Sequence, residues 1–408
     1  MSNRVGRKIY RTNAGNRKRK VQKFFKALLA VIVIGLLVFV GYCVAKPVYE
    51  YITDRDTSEA EETKPWTPPA AAEKNDPDDS IIIDDGDEGD GTDGNGSSEN
   101  KEVRFSAYSL PVAALKNSDT LAAALNSAKE GGYTAIIATL KDKGGKIYYQ
   151  TDSEMARSDE TAVVGEMYAV QICDIIKAAG FIPIARINLL EDNNRYGENR
   201  DGSYHFAGDT STWLDNNVAS GGKPWLSPFD TNTQSYAAYL ANEISSSGYE
   251  YIIFDGVAFP PFRNSDLNII GDIVKSADRY KALVNVANIA AGAAEQNGVS
   301  VMTMLPAAGI LDGTAEAFKP AELTSKTIVI SYLPSELAKT AVIDGGEIAL
   351  SELSAYDKAD IVFSEIKRLA GEGVTIVPAV RQADYSQADF SDTISAFMSL
   401  GFDSYIIM

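Results

Sequence analysis

Histidine and cysteine are nearly absent: the 408 residues hold one histidine, His205, and two cysteines, Cys43 and Cys173. A metal site built from histidines and a disulfide scaffold are therefore excluded. A Ser–His–Asp triad would have to run through His205 alone. No GxGxxG follows any apolar run, which argues against a dinucleotide-binding sheet. Acids are missing from one region only. The chain has 56 Asp+Glu against 38 Lys+Arg, a formal net charge of −18, yet its first 26 residues contain ten bases and no acid.

Behind that basic tail lies a charge-free run of 19 residues, 27–45, extended toward the N-terminus by Phe24 and Phe25. About 20 apolar residues span the ~30 Å hydrocarbon layer as a helix. The run exceeds the ~7–15 residues of a signal-peptide core, and Cys43-Val44-Ala45 is a poor cleavage site. An uncleaved single-pass anchor is expected, with the basic flank cytoplasmic and the bulk of the chain outside. The tail reads as topogenic charge that also meets anionic lipid, not as a nucleic-acid patch. Cys43 would lie in the membrane, so it cannot pair with Cys173.

Residues 46–102 read as a disordered acidic linker. From 54 to 102 there are 17 acids and 4 bases, with Pro65, Pro68, Pro69 and Pro77 and an Asp/Gly tract at 84–96. Like charge and low hydrophobicity cannot offset the entropy of ordering. The Asp tract lacks the spacing and closing Glu of an EF-hand loop, so neither a metal nor any other cofactor is expected. Ile81, Ile82 and Ile83 form the linker's one apolar island.

From 103 to 408 one unit repeats: a helical pattern ends in Gly, and a short apolar run follows. The runs are VRFSAY, YTAIIATL, FIPIARI, YEYIIFD, VSVMTML, TIVISY, VTIVPAV and FDSYIIM. Apolar runs without strict alternation suit buried parallel strands. Helical patterns lie near 118–130, 163–179, 232–247, 276–297, 356–370 and 388–400, with a short one near 313–319. Eight strands alternating with helices predict a (β/α)8 TIM barrel, here without its final helix.

Barrel active sites form at the C-terminal strand ends. That rule selects Lys141 and Asp142, Arg186, Glu191 and Asp192, Asp255, Tyr332, and Arg381 with Asp384. The long loop 188–231 carries Tyr196, Tyr204, Phe206, Trp213, Trp225 and Phe229. Carboxylates rimmed by aromatics suit a carbohydrate, since rings stack on sugars and two acids supply proton transfer. Arg186 is the expected ion-pair partner of Asp255, and His205 reads as an ordinary surface residue.

These residues also carry a resemblance. AIIATLKDKGGKIYYQTDSEMA, IIKAAGFIPIARINLLEDN and the stretch from Trp225 to Phe262 are similar to motifs of a glycoside hydrolase domain family of bacterial surface proteins, within the alpha-amylase-like and chitinase-like barrel superfamily. The resemblance places Arg186, Asp192, Trp225, Pro228, Asp255, Phe259 and Pro260 at matching positions. Thr139 stands where the family motif has Asp, and Gly256 and Ala258 stand where it has Tyr and Arg. It implies a membrane-anchored glycoside hydrolase acting on cell-wall or extracellular polysaccharide. Asp255 would be nucleophile or stabiliser, and Asp142 or Asp192 the proton donor. Lys141, Arg186, Glu191, Trp213, Trp225, Phe259, Tyr332 and Arg381 would bind substrate. The alternative is a degenerate barrel that binds glycan or an envelope partner without hydrolysis.

The anchor is directly testable. Protease added to intact cells should remove the C-terminal domain and leave a short membrane-bound stub. Protection of the domain, or a mature N-terminus near Lys46, would reject the topology.

Overall fold

The computed structural model describes residues 104–157, 162–194, 202–208 and 210–408. The basic tail, the charge-free run, the acidic linker with its isoleucine island, and Tyr196 lie outside the described residues. Among the described residues, no helix is long and apolar enough to cross a membrane.

Eight parallel strands close a barrel: β1 (Ser106–Ser109), β2 (Ala135–Lys141), β3 (Ile182–Asn188), β4 (Tyr251–Asp255), β5 (Ser300–Pro306), β6 (Thr327–Tyr332), β7 (Thr375–Val380) and β8 (Tyr405–Ile407). Each pairs with the next in chain order, and β8 pairs with β1 through Ser106 opposite Tyr405 and Tyr108 opposite Ile407. Closure removes the sheet edges that would otherwise need covering. All eight strands lie on the apolar runs read from sequence.

The helices that cover this barrel are α1 (Ser118–Glu130), α2 (Ala169–Ala178), α3 (Thr231–Ser245), α4 (Tyr280–Glu295), α5 (Ala307–Asp312), α6 (Ala355–Ala370) and α7 (Gln387–Ser399). Their starts are chemically marked. Asn117 accepts from Thr120 N–H, and Asp230, Ser354 and Ser386 cap α3, α6 and α7 in the same manner. Such caps satisfy backbone donors that the helix itself leaves unpaired. The returns to β3 and β4 need left-handed residues, supplied by Gly180 (φ +89°) and Gly248 (φ +88°).

Two helices differ from expectation. α2 begins at Ala169 rather than near 163, because Ala162 and Val164 hydrogen-bond to Ile147 instead. No helix forms at the expected 313–319; the helix of this interval, α5, lies earlier, following β5 at once from Pro306 and stopping at the left-handed Gly313. A small antiparallel hairpin, Ala341–Ile343 with Gly346–Ile348, also lies between β6 and α6.

Successive strand residues point to opposite faces, so the core has two layers. Phe105, Ala107, Ile137, Ile184, Ile253, Met302, Val329, Val377 and Ile406 fill the barrel interior. Their neighbours Ile136, Ala185, Ile252, Phe254, Ile330 and Ile407 face the helices. Cys173 is buried on α2, and burial pushes its thiol up to about 11, which leaves it a packing residue.

Candidate active site

The inward register of each strand decides what reaches the barrel mouth. On β3 the inward series Ile182, Ile184 continues to Arg186 and Asn188, and on β4 Tyr251 and Ile253 continue to Asp255. These strands align Asn188 with Asp255, one step beyond the pairing of Arg186 with Ile253. Arg186 therefore sits a layer deeper than Asp255.

A cavity of about 540 Å³ opens at this end. Arg186, Glu191, Asp255 and Arg381 line it, as the strand ends led us to expect, together with Lys143, Met304, Ser331, Glu336 and Met408. Ser331 was legible in principle, being the inward residue next to Tyr332. Lys143 and Glu336 lie in loops whose path the sequence does not specify.

Glu191 is held over the cavity by its neighbours. Leu189 N–H donates to Asp255 O at 2.8 Å, and Glu191 N–H donates to Asn188 Oδ1 at 2.9 Å. Burial raises the Glu191 carboxyl above the ordinary range, Lys143 pulls it back, and the Asp255 carboxylate pushes it further up. Asp255 Oδ1 accepts from Gly256 N–H at 2.7 Å. Gly256 itself has φ +65°, and a Cβ there would lie 2.1 Å from Asn188 Oδ1. The Tyr of the similar family motif is thus excluded at this backbone position, both by conformation and by space.

The expected Arg186–Asp255 ion pair is not formed. Arg186 Nη1 donates to Met408 Sδ at 3.9 Å, and among the described residues no carboxylate pairs with it. Arg381 does pair, through Nε, with Asp384 Oδ2 at 2.9 Å.

Several candidates belong elsewhere. Lys141 and Asp192, each 1% exposed, form a buried ion pair with Nζ 3.0 Å from Oδ2, and Lys141 also donates to Asn188 O at 2.8 Å. The Nζ–Oδ2 approach is out of line for a hydrogen bond, so the attraction there is one of charge alone. Gly145 packs so closely that a Cβ would meet Asp192 Oδ1 at 2.0 Å. Neither residue faces the cavity, which removes Asp192 as proton donor and Lys141 as substrate ligand. Asp142 is a turn builder: it accepts from Gly144 N–H, Lys146 N–H and Tyr148 Oη. Both its oxygens are occupied away from the mouth.

Tyr332 sits at a strand end but on the outward face, edge-on to Phe363 and Phe397. The loop aromatics pack on each other. Trp213 is 1% exposed, against Tyr204 and Phe262. Phe259 stacks on Phe229 at 5.9 Å and lies under the Arg279 guanidinium at 5.2 Å. Trp225 joins the same cluster and donates from Nε1 to Asp215 Oδ2 at 3.2 Å. None of the three lines the mouth cavity; they hold the loop together. His205 is half-buried in this loop, in a backbone bridge to Thr212.

Fold and site together define a closed (β/α)8 barrel with a charged cavity at its mouth. Residues 108–303 match a family described as "Putative glycosyl hydrolase domain", the resemblance already carried by the motifs. The match spans β1 to β5 and so includes Arg186, Glu191 and Asp255. No curated protein matches the chain. Among solved structures, the glycoside hydrolase domain of PgaB (BpsB) from Bordetella bronchiseptica is 12% identical over 75% of this chain and 93% of that one, with a TM-score of 0.50. A hypothetical protein from Ruminiclostridium thermocellum is 17% identical over 48% of this chain and 96% of that one, at 0.40. A Flavobacterium johnsoniae chitobiase is 12% identical over 74% and 44%, at 0.45. At such identity the PgaB domain supports the barrel fold and nothing finer.

Two stability measurements check these assignments. Lys141→Met leaves Asp192 buried without its counter-charge and should cost about 3–5 kcal/mol, whereas Lys141→Met with Asp192→Leu should recover most of that loss. A single-variant cost below about 1 kcal/mol by urea unfolding would contradict the pair's burial. Asp255→Asn keeps the acceptor for Gly256 N–H and breaks no ion pair, so stability should change by less than about 1 kcal/mol.

Proposed function

We propose that this protein is a membrane-anchored, extracytoplasmic glycoside hydrolase acting on cell-wall or extracellular polysaccharide. The observation that carries the catalytic part is the pairing of Glu191 and Asp255 on one cavity, with Glu191 raised by burial and by the charge of Asp255. A glycosidase needs one carboxyl that keeps its proton and one that acts as nucleophile or base. Glu191 fits the first role and Asp255 the second. Asp142 and Asp192 have no part in this assignment. The family match supports the glycan class. The anchor and outward location rest on the uncharged run 27–45 behind ten basic residues.

A second reading has its own support. Thr139, Gly256 and Ala258 replace an acid, a tyrosine and an arginine of the similar family motif, and the buried Thr139 Oγ1 has no hydrogen-bond partner among the described residues. A barrel that binds glycan at the same mouth without cleaving it would tolerate those changes.

Release of reducing ends from a polysaccharide panel separates the readings. Hydrolysis should fall by about 10²–10⁴-fold in Glu191→Gln and in Asp255→Asn, with folding intact. Binding retained by the wild type with no turnover on any polysaccharide would favour the binder.

The pH dependence follows from the raised Glu191 carboxyl. Its protonated form persists above the ordinary carboxylate range, so turnover should decline as pH rises through the raised value. Stability has the same sign: the contribution is complete below the unfolded-state pKa and lost as pH rises through the folded one. Glu191→Gln should therefore match the wild type in acid and melt higher at neutral pH. A neutral-pH melt below the wild type would contradict the desolvated carboxyl.

A further inference from the structure

Arg186 has a role that the hydrolase assignment does not explain. It projects inward from β3, half-buried at the inner end of the mouth cavity, and among the described residues its polar partner is the Met408 thioether. Beside it on β2, at the register position paired with Arg186, Thr139 presents a buried hydroxyl with no partner among the described residues. A partly desolvated guanidinium without a counter-charge is costly. An anion seated against it would offset that cost.

The rest of the cavity points the same way. Among the described residues it carries three cations, Lys143, Arg186 and Arg381, and three acids, Glu191, Asp255 and Glu336, and no aromatic side chain. Trp213, Trp225 and Phe259 are committed to the loop cluster. Among the described residues, the groups left for recognition at this mouth are therefore charged and hydrogen-bonding ones. The planar guanidinium fork matches carboxylate and phosphate oxygens two at a time.

We propose that the cavity selects a glycan bearing an anionic substituent, a uronate carboxylate or a phosphate, with Arg186 as the anion seat and Lys143 and Arg381 at the rim. This rests on the reading of the cavity as a glycan site and deepens it by naming the substrate class. Asp255 and Glu336 repel an anion, so its place is fixed at the arginine end, away from the two carboxyls assigned to hydrolysis.

The test measures binding of glucuronate, inorganic phosphate and glucose to the full chain by ligand-observed NMR. At least one of the two anions should bind at least tenfold more tightly than glucose. Arg186→Gln should weaken that anion at least tenfold and leave glucose unchanged, and Arg186→Lys, which keeps charge but loses the fork, should fall between. Asp255→Asn should bind the anion as well as or better than the wild type, since a repelling charge is gone. Glucuronate alone identifies a uronic-acid glycan, phosphate alone a phosphate-bearing one, and both a seat that reads charge.

Glucose binding as tightly as both anions, no detectable anion binding at millimolar concentrations, or anion affinity unmoved in Arg186→Gln would each overturn the proposal. Should Arg186→Gln fail to fold, the Arg186→Lys and Asp255→Asn comparisons still decide it. The hydrolase reading fails separately. Turnover of neutral polysaccharide without anion binding keeps that reading and rejects this one, while anion binding without any turnover does the reverse.

Discussion

Closing eight parallel strands into a barrel gives strand residues one of two destinations, with the period of two broken on β2 by the register shift between Thr139 and Lys141. Residues of one parity fill the interior, and those of the other meet the helices. At the C-terminal ends the interior series emerges into the mouth. Arg186, Asp255 and Ser331 arrive there because Ile184, Ile253 and Val329 lie two residues earlier on the inner face. Tyr332 is lost to the helix layer by a single step of register, beside Phe363. The composition of the cavity is thus a consequence of strand parity before any loop is considered.

Loops add the remaining groups, and the buried Lys141–Asp192 pair fixes the loop that matters most. Asp192 ends the segment that begins at Asn188, and Glu191 is the residue between this anchor and the cavity. Asn188 is used from both ends: its carbonyl accepts from Lys141 and its side chain accepts from Glu191 N–H. A buried ion pair contributes little net stability against an apolar alternative. Its effect here is positional, because charge, the close approach of Gly145 and the Asn188 bonds leave the loop one arrangement. The same Asn188 occupies the space a side chain at Gly256 would need. Glu191 and Asp255 are therefore placed by one shared neighbour.

How much of this was legible depends on the physics behind each residue. The barrel was readable because glycine-ended helices and apolar runs are local signals, and all eight strands follow from them. Asp255, Arg186 and Arg381 were found by the strand-end rule, and Tyr332 was misplaced for want of the parity count that the same runs permit. Asp192 and Glu191 are adjacent acids in a loop, and composition cannot say which one is buried against a lysine. That depends on the register shift between Thr139 and Lys141, which pairs Lys141 with Ile187 and turns it from the mouth, a tertiary fact. The aromatics misled for a related reason. Trp213, Trp225 and Phe259 look like a sugar platform in sequence, but a long loop across a barrel mouth also needs an apolar core of its own, and these residues supply it.

That use of the aromatics changes the chemistry left at the mouth. The cavity's described lining is charged rather than aromatic, and among the described residues Arg186 has no carboxylate partner. Arg186 lies a layer below the two carboxyls, so its field acts on whatever enters, whereas Asp255 acts first on Glu191. The two effects are separable in space: cation at depth, carboxyls at the entrance. The Glu191 carboxyl is raised by burial and by its acidic neighbour, with no Arg186–Asp255 ion pair to weaken that influence. Had Arg186 closed onto Asp255, as the sequence suggested, the carboxylate would have been neutralised and its push on Glu191 weakened. Without that ion pair, the Asp255 charge adds to burial in raising the Glu191 carboxyl.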